Sequence, residues 1–270
     1  MKQNSTKKQL RNNILKDLKK VSSKERATGS QRFFKTGKGE YGQGDVFVGI
    51  RTPEIRKISK KYLEYLDLGD LDFFLHNKTH EYRLFALITL TYMYHRTGRI
   101  KDCSKKQGER EDIFNYYLEN REWINNWDLI DVSAPKIVGE FLKDKGRGEG
   151  KRKERDILYN LVKSDNLWDQ RIAIVSTYTF IKQGDFEDIL KFSKLLIHHE
   201  HDLIHKALGW MLREVGKKDE TVLKTFLDNY ANKIPRTMLR YSIERLDERE
   251  KKKYLNMSME TKHLDFRRDF

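Results

Sequence analysis

The segment LIHKALGW at residues 203–210 decides the fold class, because it sets a basic residue among small and large apolar residues at three- and four-residue spacing. The same pattern recurs in three other segments: HEYRLFAL at 80–87, LWDQRIAI at 167–174 and PRTMLRYSI at 235–243. The basic residues that mark the register are Arg83, Arg171, Lys206 and Arg240. They are 88, 35 and 34 residues apart, and NNWDLIDVSA at 125–134 lies near the middle of the long gap. A period of roughly 35 to 45 residues is typical of two-helix solenoid repeats.

Composition points to helix along almost the whole chain. Hydrophobic residues make up 37% of the 270 residues, charged residues make up 36%, and there are only three prolines. No segment alternates convincingly between apolar and polar residues, as a half-buried strand would. The sequence therefore predicts an all-α solenoid of stacked helix pairs, which curves and presents a concave face. The alternative is an irregular helical bundle.

The expected domain organisation is simple. Residues 1–20 are predicted to be a polar helical extension, residues 21–254 a single repeat domain, and residues 255–270 a tail. Two basic stretches, at 95–112 and 143–156, carry glycines and like charges that favour loop insertions. Such loops either stay solvated or contact phosphates.

The charge balance predicts a polyanionic partner. The formal net charge is +14, and lysine and arginine gain affinity for nucleic acid by releasing condensed counterions. A membrane partner is not expected, because no apolar stretch approaches the roughly 20 residues of a spanning helix. The first residues lack the apolar core of a secretory signal, and Cys103 is the only cysteine. We therefore expect an intracellular protein without disulfides.

Three motifs that suggest chemistry have simpler explanations. GKGEYG at 37–42 has the spelling G-x-G-x-x-G but no preceding strand, so a glycine-rich connection between helices is expected instead of a dinucleotide site. The histidines at 198, 199, 201 and 205 include one i, i+4 pair but no further ligand set, which favours a surface or interhelical role. Cys103 has no defined partner base. No metal and no cofactor is predicted.

Aromatic and acidic residues cluster in the segment around 127. Trp123, Trp127 and Asp131 are four residues apart, so they share one face if the segment is helical. Asn125 or Asn126 is expected to cap this helix, and Pro135 to kink it or to start a second segment.

The two acids of this segment differ in their expected roles. Asp128 is explained by the helix dipole, which favours an acid in the first turn. Asp131 lies between Ile130 and Val132, so we expect it to be partly withdrawn from water and to need an arginine or a cationic ligand as its partner.

Each tryptophan can also be explained by core packing, and Trp123 and Trp168 are left with that interpretation. Trp210 follows Gly209 and precedes Arg213. A helix here could turn the indole toward the concave face and the guanidinium toward phosphate.

Five segments together resemble one protein family. They are GEYGQGDVFVGIRTPEIRK at 39–57, NNWDLIDVSAPKIVGEFL at 125–142, SDNLWDQRIAIVSTYTFI at 164–181, HDLIHKALGWMLREVGK at 201–217 and PRTMLRYSIERL at 235–246. Their order and content are similar to those of the DNA alkylation repair family typified by AlkD, from about Val21 to Tyr254. The resemblance implies a HEAT-like helical-repeat solenoid (an α-α superhelix) whose concave basic face binds duplex DNA. It also implies excision of positively charged N3-alkyladenine and N7-alkylguanine through an oxocarbenium-like state.

The resemblance also implies roles for single residues. The family's W-D-x-x-D motif falls on Trp127 and Asp131, and its second tryptophan falls on Trp210, which gives three catalytic residues. The implied DNA-binding residues are Arg171, Arg213, Lys206 and an aromatic that aligns with Phe33 or Phe34, where the family can have tyrosine. The implied partner is double-stranded DNA that carries alkylated bases, bound by a monomer without a cofactor. The two basic insertions depart from the family pattern and leave the binding footprint open.

Two rival functions remain at this point. A non-catalytic member of the same fold could bind bent or branched DNA, and a solenoid can also serve as a protein-interaction scaffold. A carboxylate beside phosphates would be of little use to a pure DNA binder, and the net charge of +14 disfavours a scaffold unless its partner is acidic.

Overall fold

Helix formation follows the apolar periodicity of the sequence. The computed structural model describes residues 2–145 and 155–258, which form α-helices joined by turns and short 3-10 segments. Within those two ranges no β-strand forms, and the one bridge joins Val46 and Thr79 in parallel. The prediction of an all-α fold is confirmed.

The chain divides into two compact units, residues 1–156 and residues 157–270. The helices of the first unit are α1 (Lys2–Lys20), α2 (Lys24–Phe33), α3 (Thr52–Tyr62), α4 (Leu68–Leu75), α5 (His80–Arg96), α6 (Cys103–Glu119), α7 (Trp127–Ser133) and α8 (Val138–Lys145). Helix α5 lies at the centre of this unit, where it packs against α3, α4, α6 and α7. Its side chains are buried on every side, including Phe85, Leu87 and Ile88, which explains why it has no polar face.

The second unit is organised around one long helix. Its helices are α9 (Asp156–Val162), α10 (Leu167–Ser176), α11 (Tyr178–Ile181), α12 (Glu187–Leu195), α13 (Asp202–Lys218), α14 (Glu220–Tyr230), α15 (Arg236–Ser242) and α16 (Glu248–Leu255). Helix α13 contacts α10, α11, α12, α14 and α15. Its core residues include Ile204, Leu208 and Met211, all fully buried.

The repeated sequence pattern corresponds to neighbouring helices. The segments at 167–174, 203–210 and 235–243 fall on α10, α13 and α15, and α13 packs against both of the others. In the first unit, the segments at 80–87 and 125–134 supply α5 and α7, which also pack together. Equivalent helices that stack on their neighbours are what the predicted repeat requires.

Helix α1 departs from the expected polar extension. Ile14 and Leu18 are fully buried, and α1 packs against α3. Asp17 of α1 also accepts hydrogen bonds from Lys61 at 2.6 Å and from the hydroxyl of Tyr62 at 2.8 Å. The apolar positions four residues apart make α1 amphipathic, so it belongs to the body of the first unit.

The loop predicted at 95–112 is wrong for most of its length. After a 3-10 turn at Thr97–Arg99, helix α6 begins at Cys103, and Asp102 caps it by accepting from the amide of Lys105 at 2.9 Å. Charged side chains are compatible with a helix when they face solvent. The good helix formers of α6 outweigh the low helix propensity of the exposed Gly108. The second predicted loop covers residues 143–156. Its first three residues, 143–145, form the end of α8, whereas residues 146–154 lie outside the described residues. Residues 155 and 156 are described again.

At the other end of the domain, α16 ends at Leu255, and 259–270 of the predicted tail lie outside the described residues. The segment that contains GKGEYG connects α2 to α3 through turns, as expected. No helix in the described part of the chain is both long enough and apolar enough to span a bilayer.

Candidate active site

Helix α7 carries the first tryptophan and the second acid of the W-D-x-x-D motif. Its N-cap is Asn126, whose side-chain oxygen accepts from the amide of Trp127 at 2.8 Å. Trp127 and Asp131 lie one turn apart on this helix, and both are half-buried. The helix ends at Ser133, and Pro135 lies in the 3-10 segment Ala134–Lys136 that follows. The predicted capping and the predicted effect of Pro135 are therefore confirmed.

Trp123 does not extend this face. It lies in a separate 3-10 turn, Arg121–Trp123, so its expected place on the helix of Trp127 is wrong. The asparagine N-cap, with extended backbone angles of φ −150° and ψ 153°, separates the two segments. The indole of Trp123 instead lies 5.2 Å from the imidazole of His76.

An aromatic cluster surrounds the indole of Trp127. The ring of Phe34 stacks on it at 5.2 Å with an interplanar angle of 16°, and Phe33 meets it edge-on at 5.9 Å. Of these two aromatic residues, Phe33 is 66% exposed, and Phe34 also packs against Phe47 at 4.9 Å. Both of the aromatics that the resemblance left open therefore contact Trp127, but only Phe33 also presents most of its surface to solvent.

Asp131 also affects the interior beneath α7. The hydroxyl of Tyr117, in α6, lies 3.0 Å from that of Ser133. Burial, followed by the nearby charge of Asp131, raises the pKa of Tyr117, although the hydrogen bond with Ser133 opposes the shift. The carboxylate thus stands at the boundary between the core and the half-exposed surface of α7.

A buried histidine links α5 to α7. His80 is 1% exposed, and its Nε2 lies 2.9 Å from Asp128 while its Nδ1 lies 3.2 Å from Asp45. Burial alone lowers the pKa of His80, but the charge of Asp128 and the hydrogen bonds with Asp128 and Asp45 outweigh it and raise the pKa to about 9. His80 is therefore an imidazolium at neutral pH. The dipole explanation of Asp128 was incomplete, because its carboxylate also pairs with this cation.

Further polar contacts fix the segment that leads into α7. Arg83 donates to Asp45 at 2.6 Å and to Asn125 at 2.7 Å, while Asn126 donates to Asp45 at 3.1 Å. Burial raises the pKa of Asp45, but the hydrogen bond with His80 and the charge of Arg83 outweigh it and hold the pKa below its usual value. The carboxylate of Asp45 therefore stays ionised.

The chain around Asp45 is held in place by Glu81. Its carboxylate accepts hydrogen bonds from the amides of residues 48, 49 and 50 at 2.7 to 3.2 Å. Gly49 has a φ of +75°, and a Cβ there would lie 2.1 Å from the carbonyl oxygen of Ser23. Only glycine suits that position. Sequence reasoning missed the roles of His80, Glu81 and Asp45. The available signal was the pair His80-Glu81 at the start of the segment HEYRLFAL.

The remaining expected site residues lie in the second unit. Trp210, on α13, is half-buried, and its ring lies 6.2 Å from that of Tyr178. Arg213, on the same helix, forms an ion pair with Glu244, and its Nε lies 3.7 Å from Glu214. Lys206 is 40% exposed and pairs with Asp202 at 2.7 Å. Arg213 and Lys206 are thus both partly accessible cations on α13.

Arg171 differs from the other expected DNA contacts. It is 4% exposed, and its Nη1 donates to the carbonyl oxygen of Leu203 at 2.7 Å. That carbonyl belongs to the first turn of α13, so the guanidinium ties α10 to the start of α13. This burial favours a structural role and leaves the expected phosphate contact a prediction.

The histidines near 200 form backbone contacts. His201 caps α13 by accepting from the amide of Leu203 at 3.1 Å, and His199 accepts from the amide of His201 at 3.0 Å. His205 lies 2.5 Å from the carbonyl oxygen of His199. In the described part of the chain, no three histidine, cysteine or acidic side chains are grouped as a metal would require.

Comparison with known proteins gives a consistent result. The family model described as DNA alkylation repair enzyme matches residues 14–246. The chain is similar to the solved structure of a predicted DNA alkylation repair enzyme from Enterococcus faecalis, with a TM-score of 0.61 and 18% identity over 84% of this chain and 97% of that one. It also matches AlkD2 from Streptococcus mutans, with a TM-score of 0.49 and 18% identity over 88% and 99% of the two chains. No curated protein shows significant similarity.

The likeness to the Enterococcus faecalis protein bears on fold alone. Together with the stacked helices of the second unit, it confirms the predicted helical-repeat fold. The concave basic face stays a prediction.

Proposed function

The chain belongs to the family of DNA alkylation repair enzymes, and from that membership we propose that it is a DNA glycosylase that hydrolyses the N-glycosidic bond of cationic alkylated purines. The substrates would be N3-alkyladenine and N7-alkylguanine in duplex DNA. The observation that carries this proposal is that Trp127 and Asp131 lie one turn apart on α7 and are both half-buried, with the exposed Phe33 against the indole of Trp127. The carboxylate and the indole are thus both partly exposed on the same short helix.

The chemistry of the leaving group explains why so few residues are needed. Alkylation at a ring nitrogen makes the purine cationic, so the base can depart without protonation by a general acid. The barrier then lies in the positive charge that develops on the deoxyribose, and interactions that grow with this charge increase the rate. A fixed negative charge near C1′ is the group that serves best, as it does in glycoside hydrolysis.

We assign that role to Asp131. Its carboxylate would stabilise the oxocarbenium-like state and orient the attacking water. The face of Trp127 would contact the sugar and favour its cationic character, since an indole attracts cations over its ring. Phe33 would pack against the DNA beside Trp127. Trp210 would supply a second aromatic contact with DNA, as its match to the family motif suggests.

The expected DNA contacts of the second unit follow the same logic. Arg213 and Lys206 are partly accessible cations on one helix and would contact phosphates, which position the duplex without reading its sequence. Arg171 would act mainly through α13, because it donates to the carbonyl oxygen of Leu203. The proposed partner is double-stranded DNA with alkylated bases, bound by a monomer.

The decisive test is the substitution Asp131→Asn, which keeps the shape of the side chain and removes its charge. We expect single-turnover release of 7-methylguanine from a duplex to fall by about 100-fold or more, the typical cost of losing a preorganised electrostatic contact. Affinity for a duplex with a stable abasic-site analogue should stay within about two-fold, because the loss concerns the transition state.

A matched control is Asp112→Asn, which removes the same charge from an exposed position on α6. It should leave base release unchanged. If the wild-type protein bound DNA but released no base from alkylated duplex, the glycosylase proposal would be overturned in favour of a DNA-binding function. Equal rates for wild type and Asp131→Asn would remove Asp131 from the mechanism.

A further inference from the structure

Helix α7 is too short to fix its own orientation. It has seven residues, and isolated helices of that length are not stable in water. Trp127 and Asp131, the two catalytic residues that we propose in the first unit, both lie on α7. Their positions therefore depend on the contacts that hold the first turn of α7, where Asp128 pairs with His80 and Asn126 donates to Asp45.

His80 reaches Trp127 by two routes. The first is the hydrogen bond of 2.9 Å to Asp128, the residue that follows Trp127. The second is a ring contact, because the imidazole lies 5.0 Å from the ring of Phe34, which stacks on the indole of Trp127. Phe47 covers the imidazole at 4.5 Å. A single buried ring thus supports the first turn of α7 directly through Nε2 and, through its face, by way of Phe34.

The charges around His80 balance only when it is protonated. Two carboxylates face it, Asp45 from the segment before α3 and Asp128 from α7, while Arg83 of α5 supplies one cation. Glu81, the next residue along α5, is engaged by backbone amides. With an imidazolium the group of four is neutral, and with a neutral imidazole it carries one net negative charge away from water, which is unfavourable.

Asp128 depends on this pairing. Its Oδ2 bonds to His80, whereas its Oδ1 is buried and has no hydrogen-bond partner among the described residues. A buried carboxylate that loses its partner is costly and moves toward water or toward another donor. The first turn of α7 would move with it, and Trp127 and Asp131 would follow.

We propose that His80 is a positioning residue, which uses its hydrogen bonds to Asp45 and Asp128 to hold α7 in the orientation that presents Trp127 and Asp131 to the alkylated nucleotide. This inference rests on the proposed glycosylase function. His80 is buried beneath Phe34 and Phe47, so it does not touch the substrate. It acts on catalysis because a displacement of about 1 Å at a reacting group can cost about 100-fold in rate.

The kinetic test uses His80→Gln, with His76→Gln as its matched control. His76 is also in the first unit, also lies against a tryptophan ring and also bonds to a side chain, in this case Asn120 at 2.6 Å. We expect His80→Gln to lower single-turnover base release by at least about ten-fold while affinity for the abasic-analogue duplex stays within about two-fold. His76→Gln should retain the wild-type rate.

A second measurement follows the orientation of Trp127 without any activity assay. In the variant Trp123→Phe/Trp168→Phe/Trp210→Phe, the only indole is that of Trp127. Its fluorescence should change with pH with a midpoint near 9, where His80 loses its proton and the contact with Asp128 weakens. Adding His80→Gln should abolish this transition. Adding Asp128→Asn should move it to lower pH, because the charge of Asp128 raises the pKa of His80.

The two readouts separate the possible failures. If the fluorescence transition behaves as expected but the wild type releases no base, the link between α5 and α7 stands and the glycosylase function fails. If base release is present but His80→Gln changes only thermal stability, with the rate and the Trp127 spectrum unaltered, His80 has a purely structural role. If His80→Gln does not fold, Asp128→Asn tests the positioning role instead. A fluorescence transition at lower pH together with a lower rate of base release would support that role, and a variant that behaves like the wild type in both measurements would contradict it.

Discussion

His80 occupies the first position of α5, yet it is among the most buried polar residues of the first unit. A cation at the start of a helix is unfavourable with respect to the helix dipole. Asp45 and Asp128 compensate for this, since both are close enough to bond to the ring. A protonated His80 is therefore stable at this position only because it pairs with Asp45 and Asp128, which are 35 and 48 residues away in the sequence.

The raised pKa of His80 predicts a pH-dependent stability. The pKa is about 9 in the folded chain against 6.5 for an unperturbed histidine, so the stabilisation is complete below pH 6.5 and is lost as the pH rises through 9. The free energy of unfolding should fall by about 3 kcal/mol between about pH 6 and 9.5. Denaturant titrations at a series of pH values measure it.

The control for this prediction is the same titration on His80→Gln, which lacks the group. Other groups titrate in this range, so the relevant quantity is the difference between the two proteins. That difference should diminish as the pH rises. A constant difference from about pH 6 to 9.5 would mean that folding does not raise the pKa of His80.

The sequence predicted the parts of the candidate site that depend on local patterns, but not those that depend on contacts between distant segments. The four-residue spacing of Trp127 and Asp131, together with the neighbouring asparagines, predicted a capped helix that presents both side chains, because capping and periodicity are local. The roles of His80, Asp45 and Arg83 arise from contacts between segments some 35 to 80 residues apart. No local pattern encodes such contacts. The misplacement of Trp123 has a local cause, since Trp123 ends a 3-10 turn and α7 begins only after the extended N-cap Asn126.

Between elements, α13 and α15 pack closely against each other in the second unit. A Cβ on Gly209 would lie 2.5 Å from the Cβ of Tyr241 and 2.6 Å from the carbonyl oxygen of Met238. Neither neighbouring atom can move aside easily, because one is the backbone oxygen of Met238 and the other is the Cβ of Tyr241, which is fixed to the backbone. Gly209 therefore sets the distance between these helices, directly before Trp210.

We expect Gly209→Ala to destabilise the protein. Overpacking typically costs about 1 to 3 kcal/mol, which exceeds the gain of up to about 1 kcal/mol from the higher helix propensity of alanine. The melting temperature should fall accordingly. The matched control is Gly108→Ala on α6, where an added Cβ meets nothing within 4 Å. It should raise the melting temperature, and a rise in both variants would contradict the close approach of α15.

Helix α6 explains why the loop expected at 95–112 was wrong. Glycine and like charges favour a loop, but Asp102 caps a helix that is amphipathic farther along, with Ile113, Phe114 and Tyr117 buried. Those apolar residues lie beyond the stretch itself. A helix is stabilised by the face it buries, so a polar first half does not prevent it from forming.

For the molecule as a whole, a net charge of +14 predicts binding to DNA that weakens steeply with salt. Sequence alone predicted this property, because net charge requires no fold. Net charge does not identify the residues that contact phosphates. Many of the cations are already paired with acids, as Lys206 is with Asp202 and Lys224 is with Glu220. Total charge therefore cannot show which of them release counterions on binding.

The salt dependence of Lys206→Ala distinguishes a phosphate contact from general attraction. If Lys206 contacts one phosphate, the slope of log K against log salt should lose about 0.9 in magnitude. The matched control is Lys224→Ala, since Lys224 forms the same i, i+4 ion pair, with Glu220 at 2.8 Å, on α14. Both variants remove one charge, so a long-range effect would change both slopes alike. Fluorescence anisotropy titrations with duplex DNA from about 50 to 200 mM salt, the range in which such contacts are lost, measure the slopes. Equal slopes for the two variants would contradict the assignment of Lys206 to the DNA interface.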